Sequence, residues 1–315
     1  MRPLAVGVIG IGALGRHHTR ILSTLPGARL VGIHDRRREV SEAVAAEFGS
    51  RHFEAPEPLL AECEAVVLAV PTVDHATLGT EILGRGLHLM VEKPIAGSLE
   101  EADALLAARG DRVLAVGHVE FFNPAVQALL DLGQLPRFVE SQRLGVFSPR
   151  SLDVDVVLDL MIHDLQILHA LDPSEVIEVR ATGIAVLSGR VDLANARVAL
   201  ASGAVANLTA SRVSAERARK LRLFLPSAYY SLDYTLQEIK GYRLVAGDEG
   251  RRIEAADLEV EKAEPLRREL EAFVAACRGE AGGRYVDGAA ARRALATALE
   301  VDRAMENPVL ESRGS

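Results

Sequence analysis

Leu4-Ala5-Val6-Gly7-Val8-Ile9-Gly10-Ile11-Gly12-Ala13-Leu14-Gly15 joins a short apolar run to a glycine pattern that opens a helical stretch. Leu4 to Ile9 reads as a buried strand and Ala13 to Thr24 as the helix after it. In Gly10-x-Gly12-x-x-Gly15 the first glycine permits a tight turn and the second lets a pyrophosphate reach the backbone. The third lets helix and strand pack closely. Unpaired N–H groups and the positive dipole end at the helix N-terminus then suit phosphate. Asp35 closes a second apolar run, Arg29 to His34, and stands 20 residues beyond Gly15. A carboxylate there accepts both hydroxyls of an adenosine ribose and repels a 2′-phosphate. The expected cofactor is NAD, with Gly10, Gly12, Ala13, Leu14, Gly15 and Asp35 as contacts. Arg36 is a further candidate. With Arg37 and Arg38 it also offers charge to a 2′-phosphate, or simply forms a solvated helix start.

Outward from this stretch, apolar runs alternate with helical ones as in a parallel α/β sheet. Strands are expected at Ala65 to Val70, Leu87 to Val91 and Val113 to Val116. Helices are expected at Glu39 to Phe48, Val73 to Leu83 and Leu99 to Arg109. After Gly117 the rhythm changes. Pro124 to Leu132 and Val154 to Leu171 read as helices. Val176 to Leu187, Val191 to Leu200, Ala204 to Val213 and Arg219 to Leu225 read as consecutive antiparallel strands. Helices near Pro265 to Cys277 and Gly288 to Met305 follow. The expected fold class is α/β. A Rossmann domain with a doubly wound parallel sheet takes 1–120, and an α+β domain with a mainly antiparallel sheet, for substrate and oligomerisation, takes 121–315.

The 315 residues suffice for two such domains, and 49% hydrophobic with 25% charged residues exclude a disordered or fibrous chain. A net charge of −8 leaves no electrostatic footprint for nucleic acid. No apolar run reaches the ~18 residues of a membrane helix. Two cysteines, Cys63 and Cys277, cannot build a disulfide framework and suit a reducing cytoplasm.

Only four of the 36 basic residues are lysines, so a position that keeps lysine invites a chemical question. Lys93, in Glu92-Lys93-Pro94, ends the strand Leu87 to Val91. Ligands of open α/β sheets bind beyond the carboxyl ends of strands, where an ammonium can hold a substrate oxygen and favour a developing alkoxide. A surface lysine before a turn proline is the plain alternative. Asp159 and His163, four apart, share a helix face about 40° apart. A carboxylate beside an imidazole fixes its tautomer and raises its basicity, as a general base needs. A structural pair is the alternative, and no metal is expected because Asp164 points about 100° away from His163.

Together these pieces resemble the glucose–fructose oxidoreductase and inositol dehydrogenase family. The anchors are the glycine turn, Ala69-Val70-Pro71-Thr72 with His75, Glu92-Lys93-Pro94, Phe122-Asn123-Pro124 and Asp159-x-x-x-His163-Asp164. The resemblance implies that Lys93, Asp159 and His163 surround a reacting hydroxyl beside the nicotinamide. It also implies that Pro71, Thr72, His75, Glu92 and Lys93 line the cofactor, that the Lys93–Pro94 bond is cis, and that the chain forms a homodimer or homotetramer.

Val116 to Pro124, Ser148 to Asp155, Thr209 to Arg212 and Ala228 to Tyr234 resemble a branch of that family. Its members oxidise the 3-hydroxyl of UDP-N-acetylglucosamine in making a diamino-sugar lipid A. This implies a nucleotide-sugar substrate and an aminotransferase partner that removes the keto product. A diphosphate needs cations, for which Arg143, Arg150, Arg212 and Arg219 are candidates. Asn123 is a further substrate candidate, and Tyr229 or Tyr230 is a candidate to stack on uracil. Alternatives are a keto-sugar or carbonyl reductase, an inositol-type dehydrogenase, and a non-catalytic NAD-binding regulator.

Overall fold

The structure, a computed structural model, describes residues 2–147, 155–247, 250–280 and 283–306. The chain divides into two units, Met1–Val119 with Glu264–Arg292, and Glu120–Ala263 with Arg293–Ser315.

In the first unit β1 (Leu4–Ile9), β2 (Ala28–His34), β3 (Ala65–Leu68), β4 (His88–Glu92) and β5 (Leu114–Gly117) form a parallel sheet. Its order is β2-β1-β3-β4-β5. The order reverses beside β1, so a crevice opens past the carboxyl ends of β1 and β3. Helices α1 (Ala13–Leu22), α2 (Arg38–Phe48), α3 (Pro56–Ala61), α4 (His75–Gly84) and α5 (Leu99–Ala108) make the connections. The continuous burial of β1 and β3 explains why both read as unbroken apolar runs.

One expectation needs correction. Helix α8 (Pro265–Cys277) packs in the first unit, although the sequence reading gave all of 121–315 to the second domain. Leu270, Phe273 and Val274 lie at i, i+3 and i+4. That face is buried in one cluster with Val6 and Val67 of the sheet and Ile21 of α1. Periodicity reveals such a face but not the surface that covers it.

The second unit holds an eight-stranded sheet of β6 (Phe138–Leu144), β7 (Val176–Ile184), β8 (Leu193–Leu200), β9 (Val205–Ser211), β10 (Ala218–Phe224), β11 (Ala228–Asp233), β12 (Glu238–Gly247) and β13 (Gly250–Ala255). The order is β13-β12-β11-β10-β6-β9-β8-β7. β7, β8 and β9 are consecutive antiparallel neighbours, as expected. Between β9 and β10 the early strand β6 intervenes, parallel to β9 and antiparallel to β10. Strand propensity in a run says nothing of a partner so far back in the chain, where Phe138 pairs with Val205, so this insertion escaped the sequence. Helices α6 (Pro124–Asp131) and α7 (Ile162–Leu171) and the later part of α9 (Gly288–Glu306) cover one sheet face. Their Val126, Leu165, Leu168 and Ala298 share a core with Val198, Leu208 and Leu223.

Candidate active site

The glycine turn has the geometry its spacing requires. Gly10 has φ of +88°, and a Cβ on it would stand 2.5 Å from the Ala69 carbonyl oxygen at the end of β3. A Cβ on Gly15 would collide with the Gly10 carbonyl. Gly12 caps α1 with no side-chain bond, and nothing lies within 4 Å of where its Cβ would be. The turn is therefore tight at Gly10, close-packed at Gly15 and open at Gly12, which fits a pyrophosphate against the helix N-terminus. Ala13 and Leu14, in the first helical turn, are exposed.

Asp35 stands just past β2. Ile11 N–H donates to its Oδ2 at 2.6 Å, and Arg37 N–H donates to its Oδ1 at 2.8 Å. Burial raises the carboxyl pKa, but the bonds from Arg37 and Ile11 outweigh it and hold the group below its ordinary value. At neutral pH Asp35 is thus an acceptor-only carboxylate, which fits ribose hydroxyls. Each neighbouring arginine already has a carboxylate. Arg36 donates to Asp74 at 2.6 Å, Arg37 to Asp35 at 3.1 Å, and Arg38 to Glu42 at 2.8 Å. Arg36, expected on the cofactor, is instead exposed and held by Asp74.

Pro71 and Thr72 begin a short 3-10 turn after β3. His75, expected to line the cofactor, is buried behind that turn. Its Nδ1 lies 2.9 Å from the Pro94 carbonyl and its Nε2 3.0 Å from that of Val70. Burial lowers its pKa despite these carbonyls, so at neutral pH the imidazole carries one N–H, which donates to one of the two, and it sits packed between the β3 and β4 loops. The Lys93–Pro94 bond is cis, as the family resemblance implies.

Glu92 also differs from expectation. Its carboxylate turns inward, where His18 Nε2 donates to Oε1 at 2.6 Å. Lys93 leaves the end of β4 half-buried. Sequence reasoning passed over His118, just after β5. Burial and then the charge of Lys93 push its imidazole down to about 3.

In the second unit, Asp159 lies in a π-helical turn, Val157–Met161, that runs directly into α7, where His163 occupies the first turn. Asp155 starts this helix, its Oδ1 accepting from Val157 N–H at 2.8 Å and Leu158 N–H at 2.9 Å. Asp159 is half-buried and His163 buried. Single π turns inside helices are frequent at functional sites.

Next to His163, Asp164 anchors α7 to the sheet. Arg143 Nη2 and Nε donate to its two oxygens at 2.8 and 3.0 Å, while Nη1 donates to Glu120 at 2.8 Å. Tyr234 Oη donates to Asp164 at 3.3 Å, and its ring centroid lies 4.9 Å from the Arg143 guanidinium carbon. Burial opposes the Arg143 charge, but Asp164 and Glu120 hold it firmly protonated. Burial, then Asp164, pushes the Tyr234 phenol well above its ordinary value, so it remains a donor.

This network corrects the placing of Arg143 on a diphosphate. β6 buries alternate residues, so Val139, Ser141 and Arg143 all face the core. Arg212 is likewise buried, its Nη2 donating to the Val191 carbonyl at 3.3 Å and its Nε 3.5 Å from Asp192. Arg219 remains half exposed but is paired with Glu120 at 3.3 Å. Arg150 lies outside the described residues. Asn123 caps α6, accepting from Ala125 N–H at 3.1 Å and donating to the Tyr234 carbonyl at 3.0 Å, so it supports the fold instead of a substrate. Tyr229 packs on Phe224, ring centroids 4.9 Å apart, and its neighbour Tyr230 is buried in the core that contains α7. Alternation thus puts Tyr229 on the opposite sheet face, away from α7.

Comparison with known proteins agrees with this geometry. A family model described as an oxidoreductase family with an NAD-binding Rossmann fold matches residues 4–118. UDP-N-acetylglucosamine 3-dehydrogenase of Acidithiobacillus ferrooxidans is 40% identical over 310 residues, covering 96% of this chain and 97% of that one. A solved structure of that enzyme has a TM-score of 0.91 at 38% identity, covering 97% of this chain and 99% of its own. Inositol 2-dehydrogenase 1 of Saccharopolyspora erythraea is 29% identical over 88% of this chain and 87% of its own length. Likeness at 40% identity along nearly all of both chains decides the assignment: this chain belongs to the NAD-binding oxidoreductase family of glucose–fructose oxidoreductase and inositol dehydrogenase.

Proposed function

We propose that this enzyme oxidises the 3-hydroxyl of UDP-N-acetylglucosamine to the 3-keto sugar. The observation that carries the reading is the 40% identity, over 96% of the chain, to an enzyme of that name. NAD, held at the Gly10–Gly15 turn with Asp35 on the adenosine ribose, supplies the hydride acceptor. His163 takes the hydroxyl proton as general base, and Asp159 orients its imidazole. Lys93 holds the same oxygen and favours its developing negative charge. Thr72 and Pro71 border the cofactor from the turn that His75 fastens.

The product is a ketone that an aminotransferase would consume. The open face of the eight-stranded sheet supports a homodimer or homotetramer, since Ile184, Tyr242, Leu244 and Ile253 are exposed there. Both cysteines are free thiols, which supports a reducing cytoplasm. Among the described residues no helix is long and apolar enough to cross a membrane.

The test is NADH formation with UDP-N-acetylglucosamine against free N-acetylglucosamine and inositol, with an aminotransferase present to remove product. Turnover of the nucleotide sugar alone is the expected result. Turnover of inositol or free sugar without the nucleotide sugar would overturn the substrate.

A further inference from the structure

The first unit contains a second cluster of titratable groups, and its middle member adjoins Lys93. His18 of α1 is fully buried and donates from Nε2 to Glu92 Oε1 at 2.6 Å. The other oxygen of Glu92, Oε2, lies 3.3 Å from the Lys93 backbone nitrogen, which donates to it. Gly117 of β5 leaves room for this side chain, because a Cβ there would stand 2.8 Å from Glu92 Oε2. One carboxylate therefore links α1 to the peptide that carries the ammonium.

The third member comes from α8. Glu269 is only 2% exposed, and neither of its oxygens has a hydrogen-bond partner among the described residues. The charged groups gathered here are Glu92 of β4, His18 bonded to it, and Lys93 next in the chain, whose charge also reaches His118. The charge of Glu92 reaches Glu269, and two neighbouring buried carboxyl groups disfavour being ionised together. Glu92 has donors on both oxygens and Glu269 has none among the described residues, so of the two Glu269 is the better site for a proton. Burial, and then the charge of Glu92, push the Glu269 carboxyl well above its ordinary range.

We propose that His18 and Glu269 are positioning residues for the reaction, acting through Glu92 to fix the peptide that presents Lys93. The inference rests on Lys93 holding the reacting oxygen, as proposed above. Neutral Glu269 leaves Glu92 as the single carboxylate, free to grip His18 and the Lys93 N–H together. Ionisation of Glu269, which burial and Glu92 defer to higher pH, brings a second negative charge to Glu92 and loosens the grip. A buried carboxyl with no bond partner costs stability, as structures tolerate mainly at functional sites.

The test uses His18→Leu, His18→Gln and Glu269→Gln in the full-length chain. Readouts are the infrared carbonyl band of a protonated carboxyl, NADH affinity by fluorescence, and the pH profile of kcat. The wild type should show that band at neutral pH, and Glu269→Gln should lose the share due to Glu269, leaving only that of other protonated carboxyls such as Asp302. His18→Leu should lower kcat about 10–100-fold while NADH affinity changes less than about threefold. His18→Gln, which keeps a donor within reach of Glu92, should recover most of that loss. Glu269→Gln, unable to ionise, should shift the alkaline fall of kcat to higher pH. Were Lys93 not catalytic, its own replacement would spare turnover while the infrared band remained, so the two failures are distinguishable. A wild-type band at neutral pH that Glu269→Gln leaves undiminished would overturn the proposal. So would an alkaline limb identical in wild type and Glu269→Gln, or equal kcat in His18→Leu and the wild type.

Discussion

Arg143 grips both oxygens of Asp164, with Nη2 at 2.8 Å and Nε at 3.0 Å, one residue from the imidazole of His163. Both groups are almost fully buried, so the pair is a rigid anchor for the start of α7. Replacing Arg143 by Met leaves Asp164 an uncompensated buried carboxylate and Glu120 with only the half-exposed Arg219. That should destabilise the second unit by about 3–5 kcal/mol, the usual result of removing one partner of a buried pair. Asp164→Asn should cost less, because Glu120 still neutralises Arg143. Thermal unfolding of the two variants checks the order, and a milder effect for Arg143→Met would reverse it.

Cofactor choice follows from where the charges around β2 end. Asp35 is ionised at neutral pH, and Arg36, Arg37 and Arg38 each already bind a carboxylate. NADH should therefore bind more tightly than NADPH. Asp35→Ser should weaken NADH about 10–100-fold, the loss of charged hydrogen bonds worth about 1.5–3 kcal/mol. It also frees Arg37, so NADPH should lose less or gain. Dissociation constants of both nucleotides for both proteins decide this. The Asp35 pKa lies below its unfolded value, so its stabilising effect is complete above the ordinary carboxylate range and fades only as pH falls through the lowered value.

His163→Asn should reduce kcat by roughly 10²–10⁴, the usual contribution of a positioned acid–base group, with NADH binding nearly unchanged. Lys93→Met should reduce kcat and also weaken substrate binding, since it removes a charged partner for the oxygen. Steady-state kinetics beside NADH titration separates the two effects. Near wild-type turnover in both variants would dismiss this pair as the reacting groups.

Asp302, on α9, gives a pH dependence of opposite sign to that of Asp35. Burial and then Asp155 and Glu306 push its carboxyl up to about 7, and its Oδ1 has no bond partner among the described residues. A raised folded-state pKa means the native state holds a proton that the unfolded state has already released. Stability should therefore fall as pH rises from the ordinary carboxylate range to about 7, and level off beyond. Asp302→Asn should flatten that slope and raise the melting temperature at pH above 7. A melting temperature lowered by the variant at alkaline pH would contradict the assignment.

Phe273 of α8 tests the domain boundary. It is buried with Val6 and Val67 of the first unit, so Phe273→Ala should destabilise by about 3–5 kcal/mol. NADH affinity should fall with it, because the helix closes the cofactor unit. A truncation before Glu264 should fail to bind NADH, whereas a domain complete at residue 120 would bind it.

These features were unequally legible in the sequence. The glycine turn, Asp35 and the strand ends were readable because each rests on local geometry: a positive φ at Gly10, a close approach at Gly15, an alternating rhythm of runs. Arg143 misled because arginine in quantity suggests phosphate, yet the period-two alternation through Val139, Ser141 and Arg143 already pointed it inward. Glu92 and His75 misled for a related reason: they adjoin the site in sequence but turn their side chains into the protein. Glu269 and Tyr234 left no signal of their own. A lone carboxylate on an amphipathic helix reads as solvent-facing, and only the tertiary fold brings it to Glu92.

The most direct measurement of the central claim is isotope transfer from UDP-N-acetylglucosamine deuterated at C3. The account predicts one deuterium in the reduced NAD for each turnover from the C3-labelled sugar, and none from sugar labelled at C4 or C6. Retention of deuterium at C3, or its transfer from another carbon, would contradict it.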